Sequence, residues 1–251
     1  MAGTRANTLE RLRTAIARLE HGRLAAMPVV PFGLPDLDAA LPRGGMAAGA
    51  LHEVAGGGAD LGHGTAAALF AAGVLARQHG TVLWVLEHGD LFAPGLAGAG
   101  LHPDRVVYAE VGRGGAVLLV MEEGLRHPGL AGVVGELPGR LSLTASRRLQ
   151  LAAEGSGVMA IALRRDPQGR DLHDPTAAIT RWRVSALPAG PPLSHAPHVP
   201  GVGRGVWRLE LLRSRGGKTG SWVVGACDET GHLGMVATLA DGPAQAPGCA
   251  A

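Results

Sequence analysis

Leu9, Leu12, Ile16 and Leu19 recur at helical spacing with Arg and Glu between them, which predicts an amphipathic helix over residues 8 to 26. The prolines of "MPVVPFGLPDLDAALPRGG" end it and leave room for a short helix around Asp36 to Leu41. From Gly49 onward, short apolar runs alternate with longer Ala- and Leu-rich stretches. "ALHEVAG", "TVLWVLE", "DRVVYAEV", "LAGVVGEL" and "VMAIALRR" read as strands, and "GTAAALFAAGVLARQHG", "AVLLVMEEGLRHP" and "SRRLQLAAEGSG" as helices. Such alternation predicts an α/β domain with a mostly parallel central sheet and helices on both faces. After Asp166 the helices stop. "ITRWRVSALP" reads as a strand and "VWRLELLRSRGGKTGSWVVGACDETG" as two more around a Gly turn, an antiparallel extension of the sheet near the C-terminus. The expected organisation is a helix over 1–28, one core domain over 29–240, and a Gly/Pro/Ala tail over 241–251 whose composition predicts disorder.

Composition narrows the function classes. At 251 residues the chain can bury a full α/β core without a second domain. No long apolar run is free of Gly, Pro or charge, and the charged N-terminus lacks a secretory signal's apolar stretch, so a cytoplasmic protein is expected. Two cysteines, Cys227 and Cys249, make neither a disulfide framework nor a metal-ligand spacing. The net charge of +2 is unevenly spread: positions 139 to 223 hold thirteen basic and five acidic residues. Arg supplies all the cationic side chains except Lys218, and aromatic residues make up only 3%, which leaves few platforms for stacking nucleic-acid bases.

The strongest chemical signal is "GGADLGHG", residues 57 to 64: a glycine, four residues, and a second glycine between a strand and a helix. A phosphate loop uses this layout to aim backbone N–H groups at an anion, then adds a Lys for the terminal phosphates and a hydroxyl for magnesium. Gly57 and Gly62 keep the spacing, which leaves room for the amide cradle to form. His63 and Gly64 stand where the Lys and Ser/Thr belong, and Thr65 is one position late. Lys218, in "RGGKTGS", joins two strands and belongs to a hairpin turn. Two carboxylates are candidates for the rest of the site. Glu87 follows its strand directly, placed to activate a water. Glu136 lies one residue beyond the apolar run, and is expected in a loop starting from the wrong face. No cofactor, metal or catalytic residue is expected.

These features together resemble the RecA core, and most closely the ImuA family. "FGLPDLDAALPRGGMAAGALHEVAG" is similar to the entrance of that core, and "WVLEHGDLFAP" to the recombinase segment whose Glu is catalytic, corresponding to Glu87. "LLRSRGG" resembles the strand whose basic residues reach a neighbouring subunit's nucleotide, which maps onto Arg213 and Arg215. A second DNA-binding loop would correspond to "RRDPQGRDLHDPTAA", which offers Arg164, Arg165 and Arg170 as candidate DNA contacts. The resemblance implies a non-hydrolysing adaptor in SOS-induced translesion synthesis, working with an ImuB-like Y-family polymerase homologue and an error-prone C-family DNA polymerase. It also admits self-association or RecA contact, weak or indirect DNA contact, no membrane, and nucleoid association when partners are engaged. The implied interface residues are Leu9, Leu12, Ile16 and Leu19 with Arg213 and Arg215; the first helix could equally pack on its own domain. The rivals are a DNA-dependent ATPase or recombinase with an atypical loop, and a cell-division inhibitor of the SulA type.

Overall fold

The described chain begins with a ribbon in which β1 (Val29–Val30) pairs antiparallel with β2 (Met46–Ala47). Between them lie α1 (Pro35–Asp38), shorter than the expected helix, and a 3-10 turn at Pro42–Gly44. Asp38 closes this segment, its carboxylate accepting from the Phe32 amide at 2.7 Å and the Gly33 amide at 2.9 Å. The computed structural model describes residues 27–58, 60–112, 116–165, 174–191, 196, 198–201 and 203–235. Leu9, Leu12, Ile16, Leu19, Arg170 and the tail over 241–251 lie outside the described residues.

The five apolar runs form β3 (Leu51–Gly56), β4 (Thr81–Leu86), β5 (Val106–Glu110), β6 (Leu130–Leu137) and β7 (Met159–Arg164). The later runs form β8 (Thr180–Leu187), β9 (Val206–Ser214), β10 (Gly220–Gly225) and a two-residue β11 (Gly234–Met235) that the sequence reading did not foresee. All nine share one sheet in the order β11-β10-β9-β8-β3-β7-β6-β4-β5. Pairing is parallel from β8 to β5 and antiparallel from β8 through β9 and β10 to β11. The expected parallel sheet with an antiparallel C-terminal extension is therefore observed.

Helices cover both faces. α2 (Asp60–Ala76), followed by the short α3 (Ala93–Ala97), packs on one face, where Phe70 and Leu75 meet Val54, Val134 and Leu163. α4 (Ala116–Gly124) and α5 (Leu143–Ser156) pack on the other, where Met121 and Leu149 meet Leu51, Val133 and Ala160. α2 is built mainly of Ala and Leu, strong helix formers. Its C-terminal carbonyls are held by Arg105, which donates to Ala76 O at 2.9 Å and Gln78 O at 2.5 Å, a cation where the helix dipole favours one. α5 starts on Ser142, whose Oγ accepts from the Ala145 amide at 3.1 Å, and stops at left-handed Gly157.

The Pro-rich entrance is part of the core. Phe32 stacks on Phe70 at 5.6 Å between centroids and meets Trp182 edge-on at 5.5 Å, with Trp222 beyond at 6.4 Å from Trp182. Two buried polar arrangements fix β8 to β3. His52 accepts at Nδ1 from Thr180 Oγ1 (2.7 Å) and donates from Nε2 to Ala47 O (2.8 Å), while the Trp182 indole donates to that same Thr180 oxygen at 2.9 Å. Burial holds the His52 imidazole down at about 4, so it is neutral. On the opposite face Arg181 donates to Glu53 at 2.7 Å, both side chains being buried register partners.

Candidate functional site

The glycine loop sits at the carboxyl ends of the parallel strands, where open α/β sheets bind ligands. Its geometry departs from the expectation in one decisive respect. α2 begins at Asp60, four residues before the expected start at Gly64, so residues 57 to 59 alone connect strand to helix. His63 therefore lies within the first helical turn, and its ring folds back over the loop. A Cβ on Gly58 would stand 2.7 Å from His63 Cδ2 and 2.9 Å from Nε2, and one on Gly56 would stand 3.0 Å from His63 Cβ. The Ala186 amide of β8 donates to His63 Nδ1 at 3.0 Å, which makes Nδ1 the acceptor and leaves the proton on Nε2. Gly57 is pinned as well: its amide donates to Val184 O at 2.8 Å, and a Cβ there would fall 1.8 Å from Ser185 Oγ.

These contacts correct the expectation of an open amide cradle. The glycines at 56, 57 and 58 provide close approach, letting β3 pass its own helix and the end of β8. The His63 imidazole fills the volume they vacate. Thr65 lies exposed on α2.

Glu136 also requires correction. It lies inside β6, buried, with Leu137 continuing the strand, and not in a loop. It is in register with Leu163, which is itself level with Val54, so it faces the side covered by α2, the same side as the glycine loop's helix. A carboxylate can end a buried strand here because both oxygens are satisfied. Trp84 Nε1 donates to Oε1 at 2.8 Å, and Arg165 forms an ion pair with Oε2. Arg165 reaches on to Asp90 at 3.0 Å. Burial pushes the Glu136 carboxyl above its ordinary value, against the opposing pull of the indole and the guanidinium. β7 separates β6 from β3, so Glu136 stands about 10 Å across the sheet from the loop.

The other anticipated residues scatter. Glu87 follows β4, half-buried, and makes no hydrogen bond with another described residue. Arg164 closes β7, half-buried, while its neighbour Arg165 is committed to the two carboxylates. Arg213 sits on β9, which is interior to the sheet, and donates to Thr176 O at 2.6 Å. Burial, with Arg215 and Arg181 nearby, lowers its pKa. Arg215 is half-buried in the turn after β9, and Lys218 is exposed in the hairpin between β9 and β10, as expected. Trp84 and Asp90 were not anticipated: Trp84 meets Glu136 through the register of β4 with β6, and Asp90 meets Arg165 from the loop after β4. Among the described residues no group of His, Cys, Asp and Glu could hold a metal. Cys227 is a half-buried free thiol, its pKa pushed up to about 12 chiefly by desolvation. No described helix is long and apolar enough to cross a membrane.

The fold is matched by the crystal structure of the RadB recombinase, at TM-score 0.55 and 19% identity over 82% of this chain and 99% of that one. That likeness identifies the sheet and its helices as a RecA-like core. No protein-family model matches the chain. Protein ImuA of Caulobacter vibrioides, from strain NA1000 and from strain ATCC 19089, is 38% identical over 237 residues, 89% of this chain and 95% of each relative. The chain belongs to the ImuA family. The ImuA similarity covers 89% of the chain, so it takes in the glycine loop and most of the sheet together.

Proposed function

We propose that this ImuA-family chain is a RecA-like adaptor of SOS-induced translesion DNA synthesis that does not hydrolyse ATP. In this reading it bridges an ImuB-like Y-family polymerase homologue and an error-prone C-family DNA polymerase. Family membership supports the role in damage-induced mutagenesis. The observation that carries the loss of hydrolysis is the His63 ring, seated in the glycine loop and tied to the Ala186 amide. Phosphoryl transfer needs a fixed cation on the terminal phosphates and a metal held at its acid. Here an imidazole takes up the space at the loop, and the Arg165 guanidinium sits on Glu136 where a metal ion would otherwise balance the charge.

The surfaces offered to partners are the apolar stripe Leu9, Leu12, Ile16 and Leu19 and the Arg213–Arg215 end of β9; self-association or RecA contact would use the same stripe. With Arg165 engaged internally, DNA contact in this reading is weak or indirect, and the protein reaches the nucleoid through its partners. Affinity purification of the tagged chain from damage-treated cells should recover both polymerase-type partners. The purified protein should turn over no ATP with or without single-stranded DNA. Hydrolysis at a recombinase-like rate, abolished by His63→Ala, would refute the adaptor reading.

A further inference from the structure

α4 and α5 pack over β3, β7, β6 and β4. Beyond them, β8, β9 and β10 turn one face toward solvent. Trp182 and Val184 of β8, Trp207 and Leu209 of β9 and Val224 of β10 point into the core under α2, so the residues between them point the other way. Register sets these in two rows across the strands: Arg183, Glu210 and Ser221 in one, Ser185, Arg208 and Val223 in the next. Arg208 and Ser221 are exposed and Val223 is 49% exposed. Arg208 makes no ion pair or hydrogen bond with another described residue.

The charge on this strip is uneven. Arg183 and Glu210, each half-buried, pair at 3.7 Å. Farther along β9, Arg213 is level with Arg181, and both donate to Thr176, Arg213 to its carbonyl and Arg181 to its hydroxyl. Arg181 is balanced by the buried Glu53. What faces outward is therefore the guanidiniums of Arg183, Arg208 and Arg213 against the single carboxylate of Glu210, an excess of positive charge that attracts a negative partner.

We propose that this strip binds an extended acidic segment of a partner protein, with carboxylates on Arg208 and Arg213 and an apolar side chain on Val223. The proposal rests on the adaptor reading and adds to it the chemistry of one partner. Size favours a single segment: the outer strands lie about 10 Å apart and Arg208 to Arg213 spans about 17 Å, room for one chain and not for a domain. Two observations favour a polypeptide over a nucleic acid. Trp182, Trp207 and Trp222 all turn to the α2 side, so the strip has no ring on which a base could stack. Glu210 sits among the guanidiniums, where it repels a phosphate backbone that is charged at every step; a polypeptide can set a neutral or basic residue opposite it.

The test follows fluorescence anisotropy of two labelled probes of equal charge as the full chain is added: a peptide with Glu at every second position and Val or Ser between, and a single-stranded DNA oligonucleotide. The peptide should bind, and more tightly than the oligonucleotide. Arg208→Glu, at an exposed position that spares the fold, should weaken it at least tenfold. Arg126→Glu, the same change of charge just after α4, should leave it within twofold. Glu210→Gln should narrow the gap between the probes, because the carboxylate that turns phosphate away is gone. Tighter binding of the oligonucleotide would overturn the proposal in favour of a nucleic-acid surface. No binding of the peptide, equal losses in Arg208→Glu and Arg126→Glu, or a gap unchanged by Glu210→Gln would overturn it outright. Each of these failures leaves the adaptor reading standing, since that rests on partner recovery and on absent ATP turnover; lost partner recovery with the peptide still bound would strike the adaptor reading instead.

Discussion

Replacing Arg165 with alanine separates its two possible roles. In the structure its guanidinium lies on Glu136, whose side chain is 5% exposed, and on Asp90, while Arg165 itself keeps 26% exposure. Arg165→Ala leaves a buried carboxylate with the Trp84 indole as its remaining donor. Breaking a fully buried ion pair costs about 3–5 kcal/mol. The open side of Arg165 and the ability of Glu136 to take up a proton both reduce this, so the expected loss is about 2–3 kcal/mol at pH 7. Across a domain of this size that lowers Tm by roughly 5–10 °C. Urea unfolding followed by tryptophan fluorescence measures it. Two controls fix the cause. Arg165→Ala combined with Glu136→Gln should recover most of the loss, because the uncompensated charge is gone. The single variant's deficit should also shrink as pH falls, since protonating the already elevated Glu136 carboxyl removes the same charge. A loss below about 0.5 kcal/mol, the range of ordinary surface substitutions, with no rescue in the double variant, would refute the internal-cation reading and return Arg165 to the candidate DNA contacts.

His52 gives a pH signature of opposite chemistry. Its folded pKa of about 4 lies below the unfolded 6.5, so the unfolded chain protonates first, and stability present above pH 6.5 is lost as pH falls toward 4. Between pH 7 and 5 the loss is about 2 kcal/mol by linkage, and His52→Gln should flatten that part of a stability–pH curve even where it lowers the plateau. Gly57→Ala should cost about 1–3 kcal/mol by overpacking against Ser185, and Ser185→Gly should restore part of it. A glycine kept only to admit a phosphate would show no such coupling in denaturant unfolding.

Much of the fold was legible because its signals are local. Every apolar run from "ALHEVAG" to "VMAIALRR" became a strand of the parallel part, and the loss of helical pattern after Asp166 correctly announced antiparallel strands. The elements missed were those made by pairing and not by pattern: the β1–β2 ribbon and β11 have two residues per strand, too few for periodicity to register. The site was harder. Glycine spacing alone does not reveal whether the space it opens takes a ligand or a neighbouring side chain, and His63 took it once the helix began at Asp60. Glu136 was misplaced because a carboxylate at the end of an apolar run reads as the start of a loop. Its burial depends on Trp84, 52 residues away, and on Arg165, 29 residues away, partners that only the sheet register brings together.

The way the crevice is closed bears on regulation. A ligand can shift a protein between conformations only by as much as it binds one better than the other. In the proposed adaptor, a loop filled by its own imidazole and a buried acid carrying its own guanidinium would offer a triphosphate no such difference. In the proposed adaptor, nucleotide state is therefore not the switch. Control passes to what can still change, namely which partners are present. The His63–Ala186 contact ties the glycine loop to the carboxyl end of β8, and the Arg165–Glu136 pair ties the carboxyl end of β6 to the residue after β7. In the proposed role, an adaptor controlled in this way responds to its own abundance and that of its partners.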